Sequence, residues 1–146
     1  MQLWDTAGTE KFNSVSAGFY RNTQTCVLVF DLTNKDSFDN IEIWKKEFLN
    51  HLSPPEGDKY PFVLIGNKSD LNDSIKVNDQ EIQKYCSEHN NMPYFSCSAK
   101  DYLNIEEAFS KVADLAYERE IKDTEVILPE VQNIKIEKEP QGKKCC

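Results

Sequence analysis

Continuous apolar runs of strand length, each followed by a stretch of helical period, make this chain an α/β protein with a mostly parallel sheet. Cys26-Val27-Leu28-Val29-Phe30-Asp31 shows no polar alternation, so both of its faces are expected to be buried. Strand followed by helix, repeated along the chain, implies βα units joined by right-handed crossovers. Polar clusters at Asp5, Asn67 and Ser98 each end a strand-like run. Open α/β sheets gather their ligand loops at strand carboxyl ends, so these clusters are expected to share one rim.

The elements follow in order. Leu3-Trp4 closes an apparent first strand, and Cys26 to Asp31 is the next. Asp36 or Ser37 is expected to cap a helix with Phe38, Ile41, Trp44, Phe48 and Leu52 along one side. Ser53-Pro54-Pro55-Glu56-Gly57-Asp58 breaks it and leads into the strand Phe62-Val63-Leu64-Ile65-Gly66. Asn78 or Asp79 starts a helix with Ile82, Tyr85, Cys86 and His89 on one face. After the strand Tyr94-Phe95-Ser96-Cys97, Asn104 caps a last helix whose stripe is Ile105, Ala108, Phe109, Val112, Ala113 and Ala116. The domain is thus expected to span residues 1–119. Residues 120–146 mix both charges with Pro129 and Pro140 and read as a flexible tail.

Composition narrows the class. The 146 residues are 39% hydrophobic and 29% charged, suited to one soluble domain. A net charge of -8 argues against nucleic acid or an anionic bilayer as an electrostatic partner. No apolar stretch reaches the length of a membrane span, no signal peptide opens the chain, and the reading is cytosolic. Cys26, Cys86 and Cys97 fall in apolar or helical stretches as small hydrophobes, and without a C-x-x-C a zinc site is not expected. His51 and His89 read as surface or helix-end residues.

Asn67-Lys68-Ser69-Asp70 carries the sharpest chemistry. Guanine offers N1–H and N2–H₂ side by side, and one ionised carboxylate, Asp70, can accept from both. Adenine would set a lone pair against that charge, an unmet polar contact costing about 1–3 kcal/mol or more. The stem of Lys68 can lie along a purine face, while Asn67 holds the loop. Ser98-Ala99-Lys100 supplies a backbone N–H for guanine O6. Read alone, N-K-x-D is also compatible with a solvated polar turn.

Trp4-Asp5-Thr6-Ala7-Gly8, Asn67-Lys68-Ser69-Asp70 and Ser98-Ala99-Lys100, in this order, resemble the small GTPases of the Ras superfamily. Gly18-Phe19-Tyr20-Arg21, Trp44-Lys45-Lys46-Glu47-Phe48-Leu49, Met92-Pro93-Tyr94-Phe95 and the terminal Cys145-Cys146 are similar to the Rab branch, especially its late-endosomal members. The resemblance implies a three-layer P-loop NTPase-like small G protein fold. It also implies a switch between GTP and GDP with slow hydrolysis, acting in traffic from endosome to lysosome or vacuole. Asn67, Lys68, Asp70, Ser98, Ala99 and Lys100 would hold the base, Asp5 a Mg²⁺ ion through water, and the Gly8 N–H the γ-phosphate. Residues 8–22 would form the second switch, with Trp4 and Phe19 on the effector surface; plain core packing is the alternative for both. Cys145 and Cys146 would carry geranylgeranyl lipids, two chains being what stable anchoring needs. The implied partners are an escort protein with its geranylgeranyltransferase, a GDP-dissociation inhibitor, an exchange factor, a GAP and effectors. The membrane is reached through the lipid, on the cytoplasmic face of endosomal, lysosomal or vacuolar membranes.

The chain also departs from the pattern. No G-x-x-x-x-G-K-[ST] occurs, and none of the five glycines sits in such a loop. By the resemblance, the first two strands, the first helix and the first switch are missing, and a fragment or truncated product is expected. Losing three or four phosphate contacts removes roughly 5–10 kcal/mol of binding. Leu28 and Phe30 are expected to lose strand neighbours. Thr9 stands where the family motif carries the glutamine that orients water, so hydrolysis is expected to be weak. A non-enzymatic module for escort factors or effectors is the second reading, and a product without a stable fold the third.

Overall fold

A computed structural model of the chain describes residues 2–6, 20 and 22–125. Three strands, β1 (Cys26–Asp31), β2 (Phe62–Asn67) and β3 (Tyr94–Ser96), form a parallel sheet in the order β1-β2-β3. The middle strand explains its own run of apolar residues. Phe62, Val63, Leu64 and Ile65 are each 5% exposed or less, because helices cover both faces. Asp31 lies opposite Asn67 in the register, so β1 and β2 end level on one rim.

Helices α1 (Lys35–Asp39), α2 (Ile41–Leu52) and α3 (Asp79–Glu88) cover one face, and α4 (Ile105–Glu125) the other. Leu28, Phe30 and Leu64 meet Phe38, Ile41, Phe48, Ile82 and Cys86 in the larger core. Val63, Ile65 and Cys97 meet Ala108 and Val112 in the smaller one. This is the three-layer α/β arrangement expected of a small G protein.

The first helical segment differs from its sequence reading. It is split, and its cap is Asn34, whose side chain accepts from the Asp36 N–H at 3.1 Å. Ser37 cannot serve as the cap because its hydroxyl is committed to β1. It accepts from the Asp31 N–H at 2.9 Å and bonds the Asn34 carbonyl at 2.6 Å. Asn40 then closes α1 and opens α2. By contrast, α3 starts as expected, with a full capping box between Asn78 and Glu81.

Four further expectations need correction or refinement. Residues 2–6 form no strand, and Trp4 is 57% exposed. An extended segment with no neighbouring ladder keeps its backbone hydrated, since strands are stable only as paired units. Leu28 and Phe30 stay 5% and 2% exposed, because they point into the helical layer; the open position shows instead at Val29, 58% exposed. In α4 the apolar stripe is Ile105, Ala108, Val112 and Leu115, with Ala113 exposed, as helical spacing at i, i+3 and i+7 allows.

The last refinement concerns where the helix stops. Helix α4 runs to Glu125, six residues (125 − 119) past the expected domain end. Arg119 ties α4 to the segments that precede β1 and β2. Its guanidinium pairs with Glu56 at 3.0 and 3.4 Å, donates to the Thr23 carbonyl at 2.7 Å, and stacks 4.6 Å from the Tyr60 ring.

Cys86 and Cys97 are buried and Cys26 is half-buried, its thiol pushed up to about 12 by burial, as befits packing residues. His51 lies in the last turn of α2 and His89 caps α3. The buried Lys45 ammonium donates to His89 Nδ1 at 3.1 Å, leaving Nε2 facing Glu42 at 3.4 Å.

Candidate functional site

The sheet delivers two loops to the carboxyl rim. The one after β2 carries Asn67 to Asp70, and the one after β3 carries Ser98 to Lys100. Ladder bonds continue past the strand ends and set the loops side by side. The Cys97 N–H reaches the Gly66 carbonyl at 2.8 Å, and the Ser69 N–H the Cys97 carbonyl at 2.9 Å.

Side chains then lock the two loops together. Fully buried Ser98 donates its hydroxyl to Asp70 Oδ1 at 2.7 Å and accepts from the Asp101 N–H at 3.1 Å. Asn67 Oδ1 accepts from the Ala99 N–H at 3.0 Å and the Lys68 N–H at 2.8 Å. Lys100 Nζ stands 3.8 Å from Asp70 Oδ2. Asn67, Lys68, Asp70, Leu71, Ala99 and Lys100 line one open cleft.

The electrostatics of the cleft favour an ionised carboxylate. Ser98's hydrogen bond, with Lys100 nearby, holds the Asp70 carboxyl below the usual carboxylate range. A carboxylate whose folded pKa is lowered stays charged above its ordinary value and loses its function only as pH falls through the lowered one. Guanine binding is therefore expected to persist through the ordinary carboxylate range and to fail only below it. In Ser98→Ala the failure point should move up, and guanosine affinity should fall by about three- to ten-fold. A pH series of guanosine titrations on both proteins checks this; coincident profiles would refute the role of Ser98.

The sequence-derived residues thus separate into three groups. Asn67, Lys68, Asp70, Ala99 and Lys100 line the cleft, and Ser98 sits behind it as a positioning group. Asp5 is exposed and outside the cleft lining. Gly8, Thr9, Phe19, Cys145 and Cys146 lie outside the described residues. Sequence reasoning missed Leu71 as an apolar wall and Asp31 as the partner of Lys68 at 2.7 Å. Asp31 was visible as a carboxylate at a strand end; its register with Asn67 was not.

The cleft presents the Asp70 carboxylate, Lys68 and Leu71, with the Ala99 N–H at its edge held by Asn67 Oδ1. Among the described residues no three His, Cys, Asp or Glu side chains come together as a metal-holding group.

Fold and loop arrangement together are those of an α/β protein of the small G protein type. The Ras family model matches residues 1–118. Similar proteins include "Ras-related protein Rab-7a" of Paramecium octaurelia, 42% identical over all of this chain and 72% of its own length. Another is "Ras-related protein Rab7" of Drosophila melanogaster, 46% identical over 87% of this chain and 60% of its own. A third is "Ypt/Rab-type GTPase Rab7" of Neurospora crassa, 42% identical over 99% and 72%. The chain belongs to the Ras family and, within it, to the Rab GTPases of the late-endosomal branch.

Proposed function

We propose that these 146 residues carry the guanine-selecting half of a Rab-type switch in endosome-to-lysosome or vacuole traffic. The carrying observation is the Ser98–Asp70 bond at 2.7 Å, which fixes a charged acceptor in the cleft before any ligand arrives. Asp70 accepts from guanine N1–H and N2–H₂. The Ala99 N–H exchanges Asn67 Oδ1 for guanine O6, and Asn67 remains as the tie between the loops.

No G-x-x-x-x-G-K-[ST] lies within the 146 residues, so the chain as given grips the base and contributes little to the phosphates. Gly8 and Asp5 would add their γ-phosphate and water-mediated Mg²⁺ contacts only beside a complete phosphate loop. Thr9 would then leave the attacking water poorly oriented, because a threonine hydroxyl cannot match the reach of a glutamine amide.

Cys145 and Cys146 are the proposed geranylgeranyl sites, delivered by an escort protein and its transferase, and a GDP-dissociation inhibitor would shield the lipids. Trp4, exposed at 57%, and Phe19 are proposed for effectors, with an exchange factor and a GAP as further partners. No described helix is long and apolar enough to cross a membrane, which is compatible with a peripheral, lipid-held protein.

Calorimetric titration of the chain with guanosine, GDP and adenosine tests the proposal. Guanosine should bind at least ten-fold tighter than adenosine, with GDP within about ten-fold of guanosine. Equal guanosine and adenosine affinities would instead favour a non-enzymatic module that docks escort factors or effectors.

A further inference from the structure

The Lys68 side chain is held from outside its own loop. Lys68 has φ +66°, a left-handed conformation uncommon for a residue with a long side chain. Its carbonyl accepts from the Leu71 N–H at 3.1 Å and its N–H bonds Asn67 Oδ1, so the backbone is fixed locally. The ammonium, however, lies 2.7 Å from Oδ2 of Asp31, which belongs to the neighbouring strand β1.

Asp31 is itself immobilised at every other polar atom. Its N–H donates to Ser37 Oγ at 2.9 Å. The carbonyl accepts from the Asn34 N–H at 2.9 Å and the Ser37 hydroxyl at 3.2 Å. Oδ1 accepts from the Thr33 N–H at 2.8 Å and the Thr33 hydroxyl at 2.7 Å. That leaves Oδ2 aimed at one cation. A carboxylate so constrained spends little side-chain entropy in holding its partner, unlike an ordinary surface pair.

We propose that Asp31, clipped by Thr33, is a positioning residue of the base cleft: it fixes the Lys68 ammonium so that the lysine stem stands as a preset wall for the purine. The inference rests on the guanine reading of the cleft. It assigns a different property to each carboxylate. Asp70 reads the Watson–Crick edge and sets which base binds. Asp31 touches no base and sets how tightly any accepted base is held, through the stacking surface of Lys68.

A double-mutant cycle tests this, with Asp31→Asn, Lys68→Met and the pair, read by guanosine and xanthosine titration. Asp31→Asn should weaken guanosine binding about two- to five-fold and leave the guanosine-to-xanthosine ratio unchanged. In the Lys68→Met background the same change should have no effect. Thr33→Val should reproduce a part of the Asp31→Asn loss, and thermal melting confirms that each variant is folded. An equal loss in both backgrounds, or an altered base ratio, overturns the positioning role while the cleft reading stands. Failure of the unaltered chain to bind guanosine overturns both, and is seen before any variant is made.

Discussion

Asp70→Asn should exchange the preferred base of the cleft from guanine to xanthine. Asp70 is the one carboxylate among the described residues lining that cleft, and Ser98 already fixes one of its oxygens. Asparagine keeps the shape but carries one carbonyl and one amide. The carbonyl still accepts from guanine N1–H, but the amide then faces the guanine amino group, donor against donor. Xanthine presents a carbonyl at that position and keeps its N1–H, so both contacts become productive. Charge-assisted bonds contribute about 1.5–3 kcal/mol each, so guanosine should lose roughly 10- to 150-fold in affinity. Xanthosine should gain by a similar order. Competition between the two nucleosides on both proteins reads the exchange directly. An Asp70→Asn chain that still prefers guanosine would place the base elsewhere.

Gly66→Ala should cost about 1–3 kcal/mol of stability and loosen the same cleft. Gly66 is paired on both sides, with Phe30 and with Ser96, at the last full rung before Asn67. A Cβ there would stand 2.9 Å from the Tyr94 hydroxyl oxygen, 3.0 Å from Leu32 Cδ2 and 3.0 Å from Phe30 Cζ. Leu32 and Phe30 are each 2% exposed and have no room to retreat. The strand end must move instead, and Asn67 moves with it. Chemical denaturation should show the stability loss, and guanosine titration a parallel weakening. Unchanged stability would contradict this, since Leu32 and Phe30 as well as Tyr94 would have to give way at no cost.

Much of this architecture was legible in the residues. β2 announced itself as a run with no polar interruption, because both faces are covered and alternation has no use there. Asn78 with Glu81 is a capping box, which needs only local backbone geometry and is therefore readable locally. The N-K-x-D and S-A-K segments met at one cleft because strand ends in a parallel sheet share a rim. What escaped was set by tertiary bonds. Ser37 looked like a helix cap and is a clasp on β1, because Asp31 claims its hydroxyl. Leu3-Trp4 looked like a strand, yet strand propensity alone cannot replace a paired neighbour. Asp31 as the holder of Lys68 depends on register across 37 residues (68 − 31), which no local pattern encodes.

A base cleft preformed for guanine, as proposed, is reported by the Ala99 amide. In the free protein that N–H is bonded to Asn67 Oδ1 at 3.0 Å. On guanosine binding it should change acceptor, and its ¹H–¹⁵N resonance should shift saturably, together with those of Lys68 and Asp70. Adenosine at the same concentrations should leave the three signals where they are. Equal shifts with both nucleosides, or none with guanosine, would contradict a preformed guanine site.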